Sequence, residues 1–228
     1  MVKLLFKITV VVLITVFSGT EVLAQYIQVP KDIQGRRLRV KDHSALKGSP
    51  YLYDAWSNGL VKLMNGLEFE GQIMYDQLED QVVFNGGDGE PQEFVDPVYE
   101  FTIREKGDDK ANGGKKFRKG YPVVDGGDKS TFYEILAEGN VTLLKRTKKT
   151  IVEQVPYGSS VKEQHVKSVE TYFIATPTEI TKIKNSKKGF LEAFGSQSSE
   201  LEAYAKKNRI DFKTDLDLAK LVTYYNSL

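Results

Sequence analysis

Between Leu60 and Ile103, apolar and polar side chains trade places every second residue. Gly59-Leu-Val-Lys-Leu-Met64 runs into Asn65-Gly66 and out through Leu67-Glu-Phe-Glu-Gly71. Side chains on a strand alternate faces, so this pattern predicts strands with one dry and one wet side. Asn-Gly between two alternating runs predicts a hairpin with a type I′ turn. Leu67 and Phe69 are expected to share a face, with Ile73 and Tyr75, Val82 and Phe84, and Tyr99, Phe101 and Ile103 continuing it. Turns are expected at Gln77–Asp80, at Asn85–Glu90 and at Asp96-Pro97, with Pro91 and Pro97 at strand starts or edges.

Further along, the Gly-, Asp- and Asn-rich stretch Arg104–Lys129 reads as a long, disordered surface loop, with a brief strand within Phe117–Val124. Thr131–Glu138 and Val141–Ile151 form a second hairpin around Gly139-Asn140, and Ser168–Thr176 is apolar on both faces, as a central strand would be. The period then changes. Ser186 can cap a helix over Lys187–Phe194. Ser199 with Glu202 has capping-box spacing and opens Glu200–Asn208, and Thr214 with Asp217 opens Asp215–Asn226. Leu201, Tyr204 and Ala205, then Leu218, Leu221, Val222 and Tyr225, make apolar stripes that suit a lid packed on the sheet. The fold class expected is α+β, mostly β: an antiparallel meander forming a sandwich or partly closed β-roll, with two to three C-terminal helices.

The first 24 residues follow another rule. Lys3 and Lys7 precede the apolar run Ile8–Phe17, and Val22-Leu-Ala24 is a small-residue cleavage site. The run is shorter than the roughly 20 apolar residues of a membrane span, so export with cleavage after Ala24 is expected. The organisation expected is therefore a signal peptide over 1–24, a leader over 25–50, a β domain over 51–184 and a helical subdomain over 185–228. In the leader, Arg37–Val40 alternates as a short edge strand would. The chain has no cysteine, so neither disulfides nor a lipid-bearing N-terminal cysteine are available. Of 32 basic and 31 acidic side chains, cleavage of the signal peptide removes two Lys and one Glu, leaving 30 of each and no general attraction for nucleic acid.

Charge is unevenly laid out. Glu68, Glu70, Asp76, Glu79, Asp80, Asp88, Glu90, Glu93, Asp96 and Glu100 fall in a span without Lys or Arg, while Val141–Gly189 is predominantly basic. Acidic and basic strands packed as neighbours are the expectation, with an acidic face for a basic partner as the alternative. No catalytic or phosphate-binding motif is present. His43 and His165 are the only histidines, each among polar neighbours, and neither Asn85–Glu90 nor Asp125–Asp128 has calcium-loop spacing. No catalytic residue, metal site or cofactor is therefore assigned. The candidate interaction surface is the aromatic cluster Tyr51, Tyr53 and Trp56 with the acids Glu68, Glu70 and Asp76.

Gly48-Ser-Pro-Tyr-Leu-Tyr-Asp-Ala-Trp56, Met74-Tyr-Asp76, Val82-Val-Phe84 and Leu221-Val-Thr-Tyr-Tyr-Asn-Ser-Leu228 resemble an uncharacterised family of exported proteins of Bacteroidota-type Gram-negative bacteria. The resemblance covers most of the mature chain and implies an envelope location, with no activity attached. The reading is an exported binding or scaffolding protein whose partner is another envelope protein or a cell-surface glycan. The alternatives are a small hydrolase using carboxylates of the acidic strands, which needs two of them in a concave pocket, and a ligand carrier, which needs an apolar cavity under the helices.

Overall fold

A computed structural model describes residues 43, 45–86, 89–107, 113–158 and 160–228. The expected signal peptide and most of the expected leader lie outside the described residues, the expected strand Arg37–Val40 included. Ten strands follow in order: β1 Ser57–Leu63, β2 Glu68–Asp76, β3 Gln81–Asn85, β4 Pro91–Glu93, β5 Val98–Ile103, β6 Lys115–Arg118, β7 Tyr133–Ala137, β8 Thr142–Gln154, β9 Glu163–Ala175 and β10 Ile180–Ile183. Three helices close the chain: α1 Lys187–Glu192, α2 Ser198–Asn208 and α3 Asp215–Tyr225. All strand pairings are antiparallel, and the sheet order is β10-β9-β8-β7-β6-β5-β1-β2-β3-β4. The mostly-β antiparallel fold with a helical C-terminus is the architecture the alternation predicts. It is one curled sheet, and strand pairing does not close it.

The curl is built from the alternating apolar positions. Val61, Ile73, Tyr75, Phe84, Phe101 and Phe117 share one buried cluster with Phe132. The Tyr75 ring centre lies 5.1 Å from Phe101, 5.0 Å from Phe117 and 5.9 Å from Phe132, and Phe101 stacks on Phe117 at 4.8 Å. Aromatic rings carry most of the buried area here, and such pairs add about 0.5–1.5 kcal/mol each beyond burial. At the other end of the sheet, Leu143, Tyr172 and Ile174 meet Leu201, Leu218 and Leu221 of the helices.

Where the curl comes together, residues 47–52 form a strap. The Lys47 amide donates to Gln164 (2.8 Å) and its carbonyl accepts from Val166 (2.9 Å), while Leu52 donates to Tyr75 (2.8 Å) and Gln77 to Pro50 (2.9 Å). The strap thus links β9 to the end of β2, and Lys149 of β8 donates directly to the Gln77 carbonyl at 3.3 Å. This makes the roll partly closed.

Five local expectations need correcting. Asn65-Gly66 does make a hairpin, but only Gly66 has positive φ (+88°). Gly66 donates to the Leu63 carbonyl, Leu63 donates to Leu67, and the Asn65 side chain accepts from Leu67. That is a type I turn followed by a glycine bulge, which leaves Leu67 outside the strand and exposed. Tyr99 is turned outward because the pairing steps from Lys62–Glu100 to Leu63–Val98, leaving Tyr99 as the extra residue of a bulge. The stretch expected as a disordered loop supplies β6, which sits mid-sheet between β5 and β7 with Phe117 buried. Ser199 lies inside α2, whose N-cap is Gln197 without a side-chain bond, because a 3-10 turn over Gly195–Gln197 leads into the helix. The acidic and basic strands are not neighbours: β2–β4 and β8–β10 lie toward opposite ends of the sheet, separated by β1, β5, β6 and β7. By contrast Ser186 and Thr214 cap α1 and α3 as their spacing predicts.

Candidate functional site

The densest polar cluster sits where β2 ends against the strap. Alternation sends Tyr75 and Asp76 to opposite faces. Asp76 accepts from the amides of Leu78 (2.8 Å) and Glu79 (3.0 Å) through Oδ1, fixing the turn that follows. Its Oδ2 lies 2.6 Å from His43 Nε2, and both side chains are almost wholly buried. The His43 ring meets Tyr51 edge-on at 6.3 Å. Lys149 reaches in from β8, its Nζ donating to the carbonyls of Ser49 (3.1 Å) and Tyr51 (2.6 Å). Burial pulls this ammonium's pKa below the ordinary lysine value, against the opposing pull of Asp54 and Asp76.

On the other face Tyr75 donates to Asp80 Oδ1 at 2.5 Å, and the Phe132 amide donates to Oδ2 at 3.2 Å. Burial raises the Asp80 carboxyl above the usual carboxylate range, outweighing both hydrogen bonds and the Arg146 charge. Asp80 also holds a φ of +57°, a conformation that Asp and Asn tolerate better than most residues. The arrangement uses its polar groups on one another. A buried His–carboxylate pair is the orienting half of a nucleophilic triad. Among the described residues, however, no serine, threonine or lysine side chain bonds to His43. The cluster works as a latch that holds strap, turn and β8 together.

The structure brings only part of the expected surface together. Tyr51 and Asp76 are bridge partners in the latch. Tyr53 packs half-buried against the aromatic core, and Trp56, also half-buried, precedes β1. Glu68 and Glu70 lie exposed toward the far end of β2, about 26 and about 20 Å from Asp76 at the rise of a strand. Glu68 is 3.3 Å from Lys62, a solvent-exposed pair of little energetic weight. His43 and Lys149 were missed because their partners lie 33 and about a hundred residues away, beyond any local signal.

Two other features bear on function. A groove of about 560 Å³ is lined by Lys187, Glu202, Lys206, Arg209, Ile210 and Phe212, all from the helices and their connection. It contains no sheet residue, so it is not the cavity a carrier would need. The second feature is an arm. β8 and β9 are paired along thirteen residues each, yet β7 engages only Leu143–Lys145 and β10 only Tyr172–Ala175. Past β7 and β10 the hairpin continues with Ile151, Val155, Tyr157, Val161 and Val169 exposed, and the Tyr157 ring is wholly in solvent. No signal in the sequence marked this stretch, because its apolar residues are spaced like those of any half-buried strand.

No protein-family profile, no curated protein and no solved structure matches this chain.

Proposed function

We propose that the protein is exported and acts in the cell envelope by binding or scaffolding, with the β8–β9 arm as its contact element. One observation carries this reading. A two-stranded ribbon is marginal in water, yet this one extends past its neighbouring strands with five large apolar side chains in solvent. A protein that keeps such a ribbon exposed at the tip has a use for it in contact with another macromolecule, an envelope protein or a cell-surface glycan. Aromatic tips such as Tyr157 are efficient anchors, giving large contact area for little lost side-chain freedom. The acidic residues support the same reading rather than a hydrolase: Glu68 and Glu70 stand in solvent on a strand face.

A photo-crosslinking side chain placed at Tyr157 in the native envelope tests this. Adducts at 157 that are absent when the probe replaces Leu216, equally apolar and exposed on α3, are the expected result. Turnover of peptide or polysaccharide by the purified chain, with no adduct at 157, overturns it. Intact mass of the exported protein is expected to place the first residue at Gln25, and retention of Met1 overturns the cleavage.

A further inference from the structure

We infer that the arm's partner is a second copy of this chain, seated on the acidic outer end of the sheet at β4. The inference rests on the reading of the arm as a contact element.

The arm carries unmatched positive charge. Lys162 is paired with Glu153 (2.8 Å) and Lys47 with Glu163, but Lys148 and Lys167 are exposed and have no acidic partner among the described residues. The register Lys148–Val169 and Thr150–Lys167 puts both lysines and the exposed Val169 on one face of the ribbon. The opposite end of the sheet is complementary. β4 is the last strand, and among the described residues its outer side carries no strand partner. Glu93 lies on β4 and Asp96 on the connection that follows it, neither with a basic partner among the described residues, in a span without Lys or Arg. Exposed apolar side chains sit among these acids: Val95, and Met64, whose amide donates to the Pro97 carbonyl at 2.8 Å.

A basic ribbon with an apolar tip and an acidic edge with apolar neighbours match in charge and character. Within one folded chain they are not joined to each other: among the described residues neither Lys148 nor Lys167 pairs with Glu93 or Asp96. The contact must form between copies. Since two different patches meet, it is head-to-tail, and each copy keeps one arm and one edge open for the next. Charge complementarity sets the register and speeds encounter, and salt screens it.

Sedimentation velocity of the full mature chain tests the inference. Weight-average mass is expected to rise with concentration at low salt, with dissociation at least about tenfold stronger in 0.5 M salt. An arm variant, Lys148→Glu with Lys167→Glu, and an edge variant, Glu93→Lys with Asp96→Lys, are each expected to be monomeric. Mixed, they should give one-to-one dimers and nothing larger, because only one functional arm and one functional edge then meet. All four positions are exposed or half-exposed, and circular dichroism confirms that each variant is folded. A wild-type chain that stays monomeric, variants that still associate, or a mixture without dimers each overturn the inference. Adducts at Tyr157 to a different molecule, with a monomeric wild type, overturn the self-pairing while leaving the arm's contact role standing.

Discussion

Asp215 pins the start of α3 to the sheet, and its removal is the sharpest stability test. It opens α3, where a carboxylate already interacts favourably with the helix N-terminus. Its Oδ2 accepts from Lys145 Nζ at 2.7 Å and its Oδ1 from the Tyr172 hydroxyl at 2.8 Å. The Lys145 side chain is only 8% exposed, and its second partner, Glu170 at 3.0 Å, is half in solvent. Removing one member of a buried pair costs about 3–5 kcal/mol, chiefly through the stranded charge. Glu170 still neutralises part of Lys145, so Asp215→Ala should cost about 2–3 kcal/mol, or about 5–10 °C in Tm for a chain of this size. Glu170→Ala should cost no more than about 1 kcal/mol. The paired change Lys145→Met with Asp215→Leu leaves no stranded charge and should be less costly than Asp215→Ala alone. Urea unfolding followed by far-UV circular dichroism reads all three. A loss under about 0.5 kcal/mol for Asp215→Ala, or a paired variant as unstable as the single one, would refute the reasoning.

The same residue fixes a pH dependence. Burial alone would raise its carboxyl, but the hydrogen bonds from Lys145 and Tyr172 outweigh that and hold it below the usual range. Its contribution is therefore present above about pH 4 and lost as pH falls through the lower folded value. Acid should destabilise the wild type more than Asp215→Ala in that window.

Leu221, fully buried between α3 and the sheet, should cost about 2–5 kcal/mol as Leu221→Ala, measured by the same unfolding assay. Gly66→Ala meets no neighbour within 4 Å but must hold φ at +88°, so a loss of about 1 kcal/mol with an unchanged spectrum is expected. Asp80→Asn should raise stability at neutral pH. The folded chain favours the protonated carboxyl, whose contribution is present at low pH and lost as pH rises through the raised folded value. The amide keeps both contacts, with its oxygen toward the Phe132 amide and its nitrogen donating to Tyr75. A variant no more stable than wild type at pH 7 would refute it.

What the sequence revealed follows from the range of the interactions involved. Ile73, Tyr75, Val82 and Phe84 were legible because burial on a strand has a period of two, readable within a few residues. Tyr99 was not, because the bulge that turns it outward is a property of the β1–β5 pairing. Asn65-Gly66 announced a hairpin, but not that the Asn65 side chain would hold the Leu67 amide and shift the loop by a residue. β6 hid in a glycine-rich stretch because Lys115 and Arg118 reach Glu134 and Glu100 on flanking strands, which no local pattern records. The sheet order, with β5 beside β1 and β4 at the outside, is set by pairings between strands that no local alternation records.

The strap over residues 47–52 also shapes the route by which the chain reaches its native state. Nearly all neighbouring strands are close in sequence, whereas the strap joins β9 across more than a hundred intervening residues. Closing so large a loop is entropically slow, and a handful of backbone bonds together with the His43 and Lys149 contacts reward it only once it is closed. The strap is thus the last part to zip and the first to fray. Amide exchange at Lys47 and Leu52 then outpaces that of Val61 or Phe101, and the base of the arm swings on a hinge that loosens well before the core melts.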